Sequence, residues 1–130
     1  MESSEREAIE RVERAMALIS GKWKSAIMYA LVFKGKLRFM EIRRMIPRVS
    51  QRMLTQQLRE LERHGLVQRT HFPEIPPRVE YAITPLGRTV HPIFKAVCDW
   101  ATDNLEAVEK ALPPLRWGRK ISTGKPDSAP

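Results

Sequence analysis

The chain has 130 residues, a formal net charge of +8 and a pI of about 10.2, which suits one domain with a small core and a polyanionic partner such as nucleic acid. No apolar run approaches the ~20 residues that a membrane span needs, and the acidic start Met1-Glu2-Ser3-Ser4-Glu5 lacks the apolar core of a signal peptide. A single cysteine, Cys98, rules out an intramolecular disulfide, and the chain reads as cytoplasmic.

The charge is unevenly placed. Residues 34–69 carry ten Lys or Arg against three Glu, whereas residues 1–14 carry five Glu against three Arg. Glu5 to Ile19 predicts a first helix, with Ile9, Val12, Met16 and Ile19 on its apolar side. Ser20-Gly21 breaks it. Trp23 to Phe33 predicts a second, with Trp23, Ile27, Ala30 and Leu31 as the buried stripe and Gly35 as its end. Lys22 and Lys24 flank Trp23 at a helix start, where backbone N–H groups already favour an anion, so both are candidates for phosphate contact. Leu37-Arg38-Phe39 suits one small strand. Phe39 to Ile46 predicts a short third helix with Ile42 and Ile46 inward and Arg43 and Arg44 outward. Pro47 stops it.

The turn Pro47-Arg48-Val49 leads into the most informative stretch, Ser50 to Arg63. Leu54, Leu58 and Leu61 recur at i, i+4 and i+7 and make one stripe of a helix. Ser50 is a suitable N-cap, Val49 and Leu54 are placed as a hydrophobic staple, and Gly65 is a natural stop. Arg52, Gln56, Arg59 and Arg63 fall opposite the leucines, with Thr55 on the flank. Arginine suits guanine and glutamine suits adenine at base edges in the major groove. Two helices joined by about three residues form a helix-turn-helix, whose second helix enters the major groove. Ser50, Gln51, Arg52, Thr55, Gln56 and Arg59 are therefore the candidates for base readout. Lys22, Lys24, Arg38, Arg43 and Arg44 are the candidates for phosphates.

Beyond Gly65, the runs Leu66 to His71 and Val79 to Thr84 are β-prone. Val79, Tyr81 and Ile83 alternate with Glu80 and Ala82, which predicts one packed and one wet face. The proline-rich loop between the runs makes them a hairpin, the wing of a winged helix. Arg78 is the loop side chain best suited to a phosphate or a narrow minor groove, and Glu74 is expected to point away or to bond a backbone group. Thr84-Pro85-Leu86-Gly87 opens a last helix of about twenty residues, with Thr84 as N-cap. Its seam of Val90, Ile93, Phe94, Val97, Trp100, Ala101 and Leu105 is longer than a small domain covers, so part of it is assigned to a partner subunit. Residues 1–112 then form a winged helix-turn-helix domain, mainly α with a small β-hairpin, and 113–130 a disordered basic tail.

These residues resemble a known family. Gly-Lys-Trp-Lys at 21–24, Leu-Arg-Phe at 37–39, the run at 50–62, Gly-Leu-Val at 65–67, Pro-Pro-Arg-Val-Glu-Tyr at 76–81 and Thr-Pro-Leu-Gly at 84–87 are similar to HxlR-type transcriptional regulators, bacterial winged-helix proteins related to the MarR group. The six motifs stand in register over roughly residues 15 to 105. The resemblance implies a homodimer held by the first and last helices, through Ile9, Val12 and Met16 as well as the seam. It implies double-stranded DNA with a palindromic operator as partner, with Ser50 to Arg63 as recognition helix and His71 to Val79 as wing. Several members sense oxidants through a cysteine near the N-terminus. Here that region has none.

No catalytic set can be assembled. His64, His71 and His91 are scattered, and none stands at metal-ligand spacing with a Cys or carboxylate. The sequence thus implies no enzyme, metal or cofactor. Glu60 and Glu62 are expected to pair with neighbouring Arg on their own helix, and His64 to cap its end. Cys98 sits beside Asp99 on an apolar helix and reads as a packed, structural cysteine. A small-molecule effector would enter near Trp23, Trp100 and Cys98. Two other readings are a winged-helix module that binds protein or RNA, and a non-specific, chromatin-like DNA binder.

Overall fold

The computed structural model describes residues 2–112. In chain order these form α1 (Ser3–Ile19), α2 (Lys24–Lys34), β1 (Lys36–Arg38), α3 (Phe39–Met45), α4 (Gln51–Arg63), β2 (Val67–Phe72), β3 (Arg78–Ile83), α5 (Pro85–Arg88), α6 (His91–Asp103) and α7 (Leu105–Ala111). The basic tail expected over 113–130 lies outside the described residues.

The leucine stripe of α4 makes the centre. Leu54, Leu58 and Leu61 pack with Ile27, Met28 and Leu31 of α2 and Ile42 of α3, all essentially without exposure. Each such burial favours folding by roughly 1.5–3 kcal/mol. Ile46 and Val49 seal the α3–α4 turn, and Leu66, Val67 and Ile83 close the core from the sheet. Both ends of α4 follow the residues that the sequence supplies. The Met53 N–H donates to Ser50 Oγ at 3.0 Å. At the other end, Leu66 N–H reaches Leu61 O and Gly65 N–H reaches Glu62 O, at 2.9 and 3.0 Å. That is a Schellman motif, and it needs Gly65 at its φ of 79°. His64 is the C-cap, as expected.

The sheet has three antiparallel strands in the order β1-β3-β2. Val67 faces Ile83 and Phe72 faces Arg78 across the hairpin, while Leu37 of β1 faces Tyr81. The winged helix is therefore present, with one addition: the small strand adds to the hairpin. This makes β3 the middle strand, and the expected wet face of Glu80 and Ala82 is half-buried like its neighbours. The reason is lateral cover from both sides, which the alternation alone could not reveal.

The single long final helix is not formed. Pro92 lies at the start of α6, where its ring cannot continue a preceding helix, and the chain breaks between Arg88 and His91. A second break falls at Asn104, whose Nδ2 and backbone N–H both donate to Trp100 O, at 2.9 and 3.0 Å. The side chain competes with the ladder there. Thr84 anchors the whole segment to the wing. Its Oγ1 accepts from Gly87 N–H at 2.9 Å and donates to Gly65 O at 2.7 Å.

Candidate nucleic-acid interface

With its leucines inward, α4 turns Gln51, Arg52, Gln56, Arg59 and Arg63 to the solvent. Together with Thr55 and Glu60 they line one open groove along the helix. Two of the base-reading candidates have part of their bonding capacity in use. Ser50 Oγ serves as the cap, and Thr55 Oγ1 donates to Gln51 O at 2.9 Å. The Thr55 methyl and lone pairs remain, a set suited to a thymine methyl or a base donor.

The phosphate candidates divide. Arg38 and Arg44 are exposed and line a second groove with Phe39, Met40 and the wing residues Pro77, Arg78 and Val79. The Arg38 N–H donates to Glu41 Oε1 at 2.7 Å, which fixes the start of α3. Lys22 is exposed, with its Nζ 5.0 Å from the Trp23 ring centre. Arg43 turns back instead of outward, half-buried, with Nη2 3.4 Å from Val49 O.

Lys24 is engaged within the fold. It is the buried charged side chain among the described residues, and its Nζ lies 2.7 Å from Glu60 Oε1. Glu60 consequently pairs with α2 and not with an arginine of its own helix. The hydrogen bond and charge of Lys24 hold the Glu60 carboxyl below the usual glutamate range. The sequence offered Lys24 for its position at a helix start, and the structure gives it a partner across the fold, Glu60.

Arg78 is likewise engaged. Its guanidinium meets Glu74 Oε2 at 3.0 Å and Glu80 Oε2 at 3.2 Å, and lies 3.9 Å from the Phe72 ring centre. Glu74 therefore neither points away nor bonds the backbone. The exposed basic groups of the wing are Arg69 and His71 on β2; the sequence marked His71 only as the start of the wing and did not single out Arg69. The cross-strand register could have identified them, because β2 is the edge strand. Arg48 was also missed. It sits in the helix-turn-helix turn with its guanidinium carbon 5.1 Å from the Trp23 ring centre.

These observations place a cationic, solvent-facing second helix beside a hairpin wing. The HxlR-like helix-turn-helix family profile matches residues 18–109. The chain belongs to that family. This HxlR-like protein is 55% identical over 89 residues to an HTH-type transcriptional regulator of Methanothermobacter thermautotrophicus, covering 68% of this chain and 67% of the other. It is 45% identical over 106 residues to YdeP, an HTH-type transcriptional regulator of Bacillus subtilis, covering 77% and 82%. Among solved structures it is similar to the redox regulator HypR in its reduced form, with a TM-score of 0.73 and 44% identity over 77% of this chain and 98% of that one. The HxlR-like chain is thus a DNA-binding transcriptional regulator of helix-turn-helix type.

The remaining expected sites separate in space. Ile9, Val12, Met16, Ile93, Val97, Trp100 and Leu105 are all about half or more exposed. Phe94 and Ala101 are half-buried, Phe94 against Tyr29 with ring centres 6.2 Å apart. Trp23 and Trp100, the effector candidates, sit in different surroundings. Trp23 lies with Lys22 and Arg48 at the start of α2, whereas α6 meets α2 through Tyr29, His91 and Phe94. Cys98 is exposed, not packed. Tyr29, whose hydroxyl is pushed up by burial and by the neighbouring Cys98, is its partner on α2. Among the described residues, no helix is long and apolar enough to cross a membrane, and no cluster of three metal-ligating side chains occurs.

Proposed function

We propose that this regulator binds a palindromic operator as a homodimer, with one α4 helix in the major groove at each half-site. The observation that carries the reading is the pairing of two uncovered surfaces: a cationic face on α4, and an apolar seam on α1, α6 and α7 that its own core leaves half-exposed. A twofold axis through the seam would set the two helices on half-sites about 10 base pairs apart, or a multiple of that. Arg52, Thr55, Gln56 and Arg59 read bases. Lys22, Arg38 and Arg44 hold phosphates, with Arg69 and His71 of the wing alongside.

The experiment is a binding comparison between a duplex that the wild type selects from a randomised pool and a random duplex. Arg52→Ala or Gln56→Ala should lose ~1–3 kcal/mol of discrimination at one or two positions, with random-duplex affinity kept. Equal loss on both duplexes would move these side chains to the phosphate class. A wild type that enriches no sequence would leave the non-specific, chromatin-like reading in its place. The fully polar, cationic α4 face disfavours a protein-binding winged helix, whose presented face would be apolar.

A further inference from the structure

Apolar packing holds α4 against the core, yet such packing has little directional preference. Three leucines in one stripe define which side of the helix is buried, and leave room for small rotations about its axis. Base readout has no such tolerance, because bidentate contacts need their donors placed to within fractions of an ångström. One directional bond, the Lys24–Glu60 pair at 2.7 Å, ties the flank of α4 to the rest of the fold. Glu60 lies one helical turn after Gln56, on the same edge of the helix, between the leucine stripe and the outward face. Lys24 lies at the start of α2, which is itself fixed by Ile27, Met28 and Leu31 in the core. Its side chain is 11% exposed, against 27% for Glu60. The lysine is therefore the more buried half of the pair, and the glutamate is the half carried by the DNA-reading element. A buried ion pair is a weak source of stability compared with apolar residues of the same volume, and its best-attested use is to fix register.

Resting on the operator-binding function above, we propose that Lys24 is a positioning residue for DNA readout: through Glu60 it sets the axial rotation of α4 and thereby the aim of Arg52, Gln56 and Arg59. It confers sequence discrimination without touching DNA.

The test uses the full chain, the duplex selected by the wild type and a random duplex, each titrated across salt. The variants are Lys24→Met, Glu60→Met, the double Lys24→Met/Glu60→Met and the exchanged pair Lys24→Glu/Glu60→Lys. The apolar double should fold, since a matched apolar pair can replace a buried ion pair without loss of stability. Its ratio of selected to random affinity should nevertheless fall roughly five- to tenfold, equivalent to about one base contact, with the salt slope unchanged. The exchanged pair should recover most of that ratio. A folded apolar double that keeps the wild-type ratio overturns the proposal. So does a Lys24→Met protein that weakens on both duplexes with a shallower salt slope, which would make Lys24 a direct phosphate ligand. A wild type that selects no duplex overturns the operator reading itself, before any variant is compared.

Discussion

Gly87 offers a direct test of how the wing is joined to the final helices. It lies within α5, in ordinary helical conformation, where alanine is normally favoured over glycine by about 0.5–1 kcal/mol. Helix propensity alone therefore makes Gly87→Ala stabilising. Packing gives the opposite sign. A Cβ at this position would overlap the Leu66 carbonyl oxygen and stand 2.7 and 2.8 Å from Cγ1 and Cδ1 of Ile83. Ile83 is buried and cannot swing into solvent, and the Leu66 carbonyl is backbone that already accepts Thr84 N–H at 3.1 Å. Overpacking of this kind costs about 1–3 kcal/mol. The net loss should be about 1–2 kcal/mol, which for a chain of this size lowers Tm by roughly 4–8 °C. Thermal melts followed by circular dichroism at one fixed protein concentration read it directly. Gly65→Ala serves as the contrast: nothing lies within 4 Å of its Cβ, so its loss should come from the φ of 79° alone, about 1–2 kcal/mol. A Gly87→Ala protein as stable as wild type would refute the packing argument.

Arg78→Ala should leave the salt slope of DNA binding unchanged, because two carboxylates already meet that charge, whereas Arg44→Ala should make the slope shallower by about one unit for each phosphate the arginine neutralises. A shallower slope for Arg78→Ala would show that the guanidinium leaves Glu74 and Glu80 for DNA. Trp100→Asp should give monomers or insoluble protein in sedimentation, together with weak operator binding, since it puts a charge in the middle of the exposed seam. A monomeric wild type would end the dimer reading. Cys98→Ser should release DNA at the same diamide or quinone concentration as wild type, because Lys95, the nearest cation along α6, is paired with Asp99 at 3.0 Å. A gel shift in which only the wild type lets go would make Cys98 a sensor.

What the sequence disclosed follows the range of the interactions involved. The ends of α4 were legible because Ser50 and Gly65 act within four residues of themselves. Its buried face was legible because three leucines share one period. The wing hairpin was legible from two β-prone runs and a stiff loop. Charge partners were not. Lys24 and Glu60 are 36 positions apart, and nothing local distinguishes a lysine that meets a phosphate from one that meets a glutamate across the core. Arg78 shows the same failure at shorter range, since its neighbours Glu74 and Glu80 reach it only once the strand and loop are folded. The breaks at Pro92 and Asn104 could have been read, as proline and asparagine are standard interruptions. The apolar seam running through them masked the signal.

The first helix meets the core only at its C-terminal end. Along the 17 residues of α1, Ile19 is the buried one, and Leu18 is the other apolar side chain of α1 packed against the core. Its larger remaining apolar side chains, Ile9, Val12 and Met16, stay about half exposed and open to cover from outside the protomer. If a second copy supplies that cover, helix formation and association become one equilibrium. Its midpoint then depends on protein concentration, and Tm rises as the protein is made more concentrated. A regulator built this way responds to its own abundance. Below the association midpoint the two reading heads are untethered and each binds DNA alone; above it they act as a bivalent unit whose second contact is intramolecular. Occupancy of a two-site operator would then climb more steeply than in proportion to copy number.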